Sequence, residues 1–147
     1  MYSKLWQRIG MHPWWHFCKD HPHMTRKVSA VVSVLCGVQP KGMQFNFNGS
    51  PCGICGEHAR EDAGHVLFDC AALAGARRVR WERLLASVPP PMAQDLDEML
   101  TTERTELMLS GPGKLYIADW GHIYVAFAEY VYGMYMQRCD MYNGTKI

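Results

Sequence analysis

Four candidate metal ligands are spaced Cys52-x2-Cys55-x9-His65-x4-Cys70 within the run CGICGEHAREDAGHVLFDC. If all four meet at one ion, the chain must fold so that a tight turn faces a second, separate element. A Cys-x-x-Cys turn suits zinc because its two thiolates converge at tetrahedral angles. The backbone N–H groups just beyond, around Ile54 and Gly56, can then hydrogen-bond the sulfurs. Gly53 and Gly56 fit such a knuckle, which needs residues that tolerate unusual backbone angles close to the ion. The other pair is harder to place. On a regular helix His65 and Cys70 point about 140° apart. They share an ion only if the helix ends near Phe68 or Asp69 and swings Cys70 back.

Four protein ligands leave no open position, so the site reads as structural, and thiolate with imidazole favours zinc over calcium or magnesium. His58 is the rival to His65, but Cys55-x2-His58 would crowd three ligands into one turn. The bland alternative is a set of separate buried cysteines or a disulfide, which four ligands at these spacings argue against. Cys18, Cys36 and Cys139 lie in apolar or helical contexts and read as core thiols. Zinc thiolates imply a reducing, intracellular compartment, with mitochondrion and nucleus both compatible.

The rest of the chain is that of a globular protein. With 147 residues and 48% hydrophobic composition it should form one domain with a real core. A net charge of +1 does not describe a strongly basic nucleic-acid binder. The distribution is more telling. Residues 1–56 carry Lys4, Arg8, Lys19, Arg26, Lys27 and Lys41 against Asp20 alone. An acidic block follows at 57–70, a basic one at 71–90 through Arg77, Arg78, Arg80 and Arg83, and another acidic one at 91–110. Such blocks suit a protein that shows different faces to different partners, or ordinary solvated helices. No apolar h-region follows the basic start, so no signal peptide is expected. The most apolar run, Leu115–Met136, is interrupted by Asp119, His122 and Glu129, which makes it a buried helix rather than a membrane span.

Periodicity predicts a mainly α protein: a small zinc-stabilised helical domain with a short strand and zinc knuckle. A short helix is expected at 2–9, then an aromatic- and His-rich connector at 11–24 punctuated by Pro13 and Pro22. Thr25 is the expected N-cap of a helix over 26–36, with Val28, Val31, Val32 and Leu35 inward, although its β-branched density leaves a strand open. The alternation of Phe45 and Phe47 ahead of Asn48-Gly49 predicts a strand feeding the first cysteine. Helices follow at 63–70 and 71–87, the second with Leu73, Trp81, Leu84, Leu85 and Val88 on one face. Arg77 falls in the middle of that face, so either an acid pairs with it or the helix is irregular. Pro89-Pro90-Pro91 ends it. An acidic amphipathic helix over 93–109, a turn at Gly111-Pro112-Gly113 and a Tyr-rich, nearly all-apolar helix over 115–138 complete the chain. The last should be buried on more than one side. Asn143-Gly144-Thr145 reads as a turn. Three segments result, an arm at 1–24, the zinc-binding module at 25–88 and a helical extension at 89–147, forming one compact unit.

The run SPCGICGEHAREDAGHVLFDCAAL resembles the zinc-binding module at the C-terminal end of reverse transcriptases from non-LTR retrotransposons. Those modules read Cys-x-x-Cys-Gly, a short acidic loop, a Glu, then His-(apolar)-Leu-Phe-x-Cys. Cys52, Cys55, Gly56, Glu61, His65, Leu67, Phe68 and Cys70 stand here in that order, and the resemblance spans roughly residues 25–88. It implies one structural zinc on Cys52, Cys55, His65 and Cys70, and contact with RNA or DNA. Polymerase chemistry is not implied, because paired aspartates for two metal ions are needed and the chain has no Asp-Asp dipeptide. Nor does it contain the Pro-Asp of an appended endonuclease.

No Ser/His/Asp triad, phosphate loop or carboxylate pair emerges, so no catalytic residue and no small-molecule substrate is expected. The expected function is that of a non-enzymatic structural subunit among other protein subunits, in an assembly such as a ribonucleoprotein. The alternative is a module that grips RNA directly through Lys19, Arg26, Lys27, Arg77, Arg78 and Arg80. Trp14, Trp15, Tyr124, Tyr132 and Tyr135 are the candidate interface aromatics. His12, His16, Cys18, His21 and His23 could pass for a second metal cluster, but they lack an ordered pair of ligand pairs.

Overall fold

The last helix organises the molecule. In the computed structural model, which describes residues 12–37, 52, 54–55, 62–112 and 118–145, helix α1 spans Pro13–Asp20, α2 Thr25–Leu35 and α3 Ala74–Ser87. Helices α4 (Pro90–Glu98), α5 (Thr101–Ser110) and α6 (Gly121–Thr145) follow. Short 3-10 turns at Pro22–Met24, Ala71–Leu73 and Ala118–Trp120 join them, and a π-type turn occupies His65–Asp69. No strand occurs among the described residues. The strand expected near Phe45 and the helix expected at 2–9 lie outside them, as does His58.

Helix α6 packs against α1, α2, α3, α5 and the π-type turn. Its sequence explains this. Ile123, Tyr124, Phe127, Ala128, Tyr130, Val131, Met134, Tyr135 and Cys139 are all buried. The exposed His122, Glu129 and Asp140 project within about 20° of one another at 3.6 residues per turn. Among the described residues of the helix these three are the exposed ones, and the others are buried or half-buried. The expected burial on several sides is what the structure shows. The helix runs past the expected end, and Asn143-Gly144-Thr145 is its last turn rather than a separate one.

The connector expected at 11–24 is instead helical. Pro13 sits at the first helical position, where its missing N–H is no loss, and His12 Nδ1 accepts from the Trp14 N–H at 3.3 Å. Trp14 is fully buried, and its indole N–H donates to the Leu109 carbonyl at 2.8 Å. That carbonyl belongs to the last turn of α5, where no intrahelical partner exists. Trp14 also meets Tyr124 edge-on at 5.1 Å, while Phe17 stacks on Tyr124 at 5.4 Å. Trp14, Tyr124 and Tyr135 are therefore core of this chain and not interface residues. Trp15 and Tyr132 are half-buried against the same core.

Helix α2 resolves the helix-or-strand alternative for helix, with Val28, Val31, Val32 and Val34 buried and Leu35 turned out. Thr25 is its first residue rather than its cap, its hydroxyl donating to the Pro22 carbonyl at 2.8 Å. On α3, Leu73, Leu84 and Val88 are buried as expected, and Val88 takes the extended backbone (ψ 160°) that a following proline favours. The single acidic helix expected over 93–109 is two helices, α4 and α5, meeting at an extended corner at Met99 and Leu100. The reason is geometric. In one straight helix Met108 and Leu109 would point about 120° and 220° around from Leu96, yet all three are buried.

Gly111 closes α5 with φ 98° and ψ 158°, a region open to glycine alone. A Cβ there would also press the Tyr124 ring at 3.2 Å. Gly37 ends the α2 segment at φ 77° with nothing near a prospective Cβ. Gly111→Ala should therefore destabilise by about 2–3 kcal/mol and Gly37→Ala by only about 1 kcal/mol. Urea midpoints of the two variants check this order; equal losses would show that the Tyr124 contact is irrelevant.

Candidate metal centre

Cys52, Cys55, His65 and Cys70 converge, their donor atoms all lying within 4.8 Å of one another. Cys52 Sγ stands 3.9 Å from Cys70 Sγ, and Cys55 Sγ 3.6 Å from His65 Nε2. Around a tetrahedral zinc ion two sulfurs would be about 3.8 Å apart, and a sulfur and a nitrogen about 3.6 Å. The fit is close. The same 3.9 Å separation is far beyond a disulfide bond of about 2.05 Å, and no cysteine is bonded to another. Cys52, His65 and Cys70 are buried while Cys55 is half-exposed. The four residues could hold one metal ion, with three sulfurs and one imidazole filling a tetrahedral shell.

The spacing problem of His65 and Cys70 is solved by a change of helix type. Asp62 begins the turn as a side-chain cap, its Oδ1 accepting from the His65 N–H at 2.9 Å. The turn then widens to π form, and the Cys70 N–H reaches the His65 carbonyl at 2.7 Å, five residues back. Residues five apart in a π-type turn nearly share a face. Cys70 itself leaves the helix with ψ 118°. The helix thus does end at Asp69, as expected, but widening rather than stopping short brings the two ligands together.

Surrounding helices hold each part of this turn. Tyr130 donates its hydroxyl to the Leu67 carbonyl at 2.5 Å. Burial pushes that phenol up, against the pull of Arg77, Arg104 and Arg80, so it keeps the proton it donates. Thr101 donates to Asp69 at 3.1 Å, and Gly64 lets Thr101 and Thr105 of α5 approach closely. Phe68 stacks on Tyr130 at 5.7 Å and meets Trp81 edge-on at 5.6 Å. Arg104 lies over both Phe68 and Trp81, at 5.0 and 4.7 Å from the ring centres. Its nitrogens donate to the Leu96, Asp97 and Met99 carbonyls at the end of α4. Arg104 and Tyr130 carry no motif and were invisible to sequence reasoning. Asp62 was missed as well, although a capping residue three positions before a ligand is a signal that sequence carries.

Other expected site residues fall elsewhere. Arg77 is turned inward, donating to the Cys70 carbonyl at 3.0 Å, so it faces the ligands and not a nucleic acid. Arg80 is half-buried with its guanidinium laid over Gly133 of α6. Lys27 is drawn to Glu129 at 3.6 Å and lies over the Tyr132 ring. Arg78, Lys19 and Arg26 are exposed, as is Arg83. Of the N-terminal histidines, His12 caps α1, and His21 stacks on Phe17 at 4.4 Å with the His23 ring 5.9 Å away. Among the described residues no other group of ligands gathers.

The chain matches no family model, no curated protein and no solved structure. No helix among the described residues is long and apolar enough to cross a membrane.

Without a cation, burial and the neighbouring Cys52 and Cys55 sulfurs push the Cys70 thiol up to about 12, despite a hydrogen bond with the Ala72 backbone that pulls it down. The folded, metal-free chain therefore holds a proton that the unfolded chain releases near the ordinary value of 9.0. Its contribution to stability is whole below that value and is lost as pH rises towards about 12. A bound cation reverses the sign, because it holds thiolates that acid must protonate. Urea midpoints of the metal-loaded protein should therefore rise with pH from about 5 to 9, where those of the metal-free protein take no slope from this group, and the metal-free midpoints should fall above 9.0; identical profiles would contradict the four-ligand site.

Proposed function

We propose that the chain is a non-enzymatic helical module stapled by one zinc ion, and that it serves as an interaction subunit of a larger protein assembly. The single observation that carries this is the donor set. Three sulfurs and one imidazole at tetrahedral spacing leave no position for substrate or water, which is the mark of a structural site. Thiolates select a soft or borderline ion, and imidazole with three of them is a familiar zinc shell. A zinc ion there would tie the Cys52–Cys55 segment to the turn on which α3, α5 and α6 all converge. The order Cys52, Cys55, Gly56, Glu61, His65, Leu67, Phe68, Cys70 supports descent from a reverse-transcriptase zinc module of the non-LTR type. That descent makes a ribonucleoprotein the kind of assembly to look for, in a reducing compartment.

Direct RNA binding is the second reading, and one observation favours it. Among the described residues Arg78 and Arg83 of α3, with Lys19 and Arg26, remain exposed, while Lys27, Arg77, Arg80, Arg104 and Arg138 are buried or half-buried. Such a surface would act through phosphates.

Elemental analysis of purified protein should find one zinc per chain, and chelation should lower its thermal and urea midpoints, since metal binding is coupled to folding. A metal-free protein that keeps its fold and never takes up zinc would end the proposal. Native purification should bring other proteins with it. Under the second reading, RNA affinity falls steeply with salt, and Arg78→Ala with Arg83→Ala reduces the salt slope by roughly two. Absence of RNA binding at low salt removes that reading and leaves the first.

A further inference from the structure

Arg77 sits where an apolar residue would ordinarily pack, in the middle of the inward face of α3. Its Nη2 donates to the Cys70 carbonyl at 3.0 Å, while its Nη1 is buried and has no hydrogen-bond partner. Among the described residues the ion pair is Lys27 with Glu129, so no acid accounts for Arg77. Burying a guanidinium with one donor unmet is unfavourable unless an opposite charge compensates it. The charge balance of the neighbouring site supplies one. Three thiolates and a neutral imidazole around a divalent ion leave a net charge of about −1, in a place where Cys52, His65 and Cys70 are almost wholly shielded from water. Asp62 and Asp69 at the two ends of the turn are negative as well. Arg104, another cation near the turn, has already committed donors to the end of α4, and the Arg80 guanidinium is laid over Gly133 of α6.

We infer that Arg77 is the counter-charge of the metal centre: its positive charge, delivered through the backbone carbonyl of a ligand residue, stabilises the loaded site. The inference rests on the reading of Cys52, Cys55, His65 and Cys70 as one zinc site. It assigns to Arg77 a positioning and charge-balancing role, outside the ligand set itself.

The test compares Arg77→Gln with Arg77→Lys in the full chain. Glutamine keeps an N–H donor for the Cys70 carbonyl and loses the charge; lysine keeps the charge and loses the planar fork. Zinc affinity is measured by competition with a chromophoric chelator, and thermal midpoints are taken for the metal-free and zinc-loaded forms. Arg77→Gln should weaken zinc binding about 10- to 100-fold, the range for groups just outside a ligand shell, and lower the loaded midpoint more than the metal-free one. Arg77→Lys should stay within a few-fold of wild type. If lysine binds zinc no better than glutamine, or if both variants lower the two midpoints equally, Arg77 is only a packing and hydrogen-bonding residue and the inference is overturned. Failure of the wild-type chain to bind zinc at all is a separate result, and it overturns the underlying site.

Discussion

One hydrogen bond decides whether this chain has a metal centre. The Cys70 N–H closes on the His65 carbonyl rather than on Val66, and that single-residue shift changes the face on which Cys70 emerges. With an ordinary helical bond His65 and Cys70 would look in directions about 140° apart, and the Cys52–Cys55 turn could meet only one of them. A widened turn is unfavourable alone, because it loosens packing along the helix axis and leaves carbonyls without intrahelical partners. It persists here because other helices supply what it lacks: Tyr130 for Leu67, Arg77 for Cys70, and Thr101 for the Asp69 side chain.

The metal site and the hydrophobic core are therefore one structure. Phe68, Trp81, Tyr130 and Arg104 form a continuous aromatic and cationic stack from the turn with His65 and Cys70 to α6 and α5. Three of the four do two things. Tyr130 fills core and donates a hydrogen bond; Arg104 ends α4 and lies on two rings; Trp81 packs and donates to Asp97 at 3.2 Å. Residues of the segment at 89–147 are as necessary to the turn as those of the segment that carries the ligands.

The parts legible in the sequence were those set by local spacing. The four candidate ligands were readable because a thiolate–imidazole metal site demands particular residue types at particular separations. Helix α3 was readable because Leu73, Leu84 and Val88 recur at its period, and Arg77 was recognisable there as an anomaly. What could not be read depends on contacts between distant residues. Nothing near Met99 and Leu100 announces a corner, which follows from where Leu96 and Met108 must both be buried. The tyrosines of α6 looked like an unpartnered surface because α1, which covers Tyr124 with Trp14 and Phe17, reads as a proline-broken connector. Two prolines suggested interruption, yet each stands at the first position of a helical turn, where proline is welcome.

The centrality of α6 also has a consequence in time. Tyr130 reaches back 63 residues to Leu67, and Trp14 reaches forward 95 residues to Leu109. Contacts of that span form slowly, since long loops must close before any gain is felt. As the chain emerges in order, α1, α2 and α3 carry apolar faces with no final partner until α6 has been made. Such intermediates are prone to associate with one another. The ligand segment is complete long before the helix that secures its turn. The turn that carries the ligands is thus made early in the chain and secured by a helix made late.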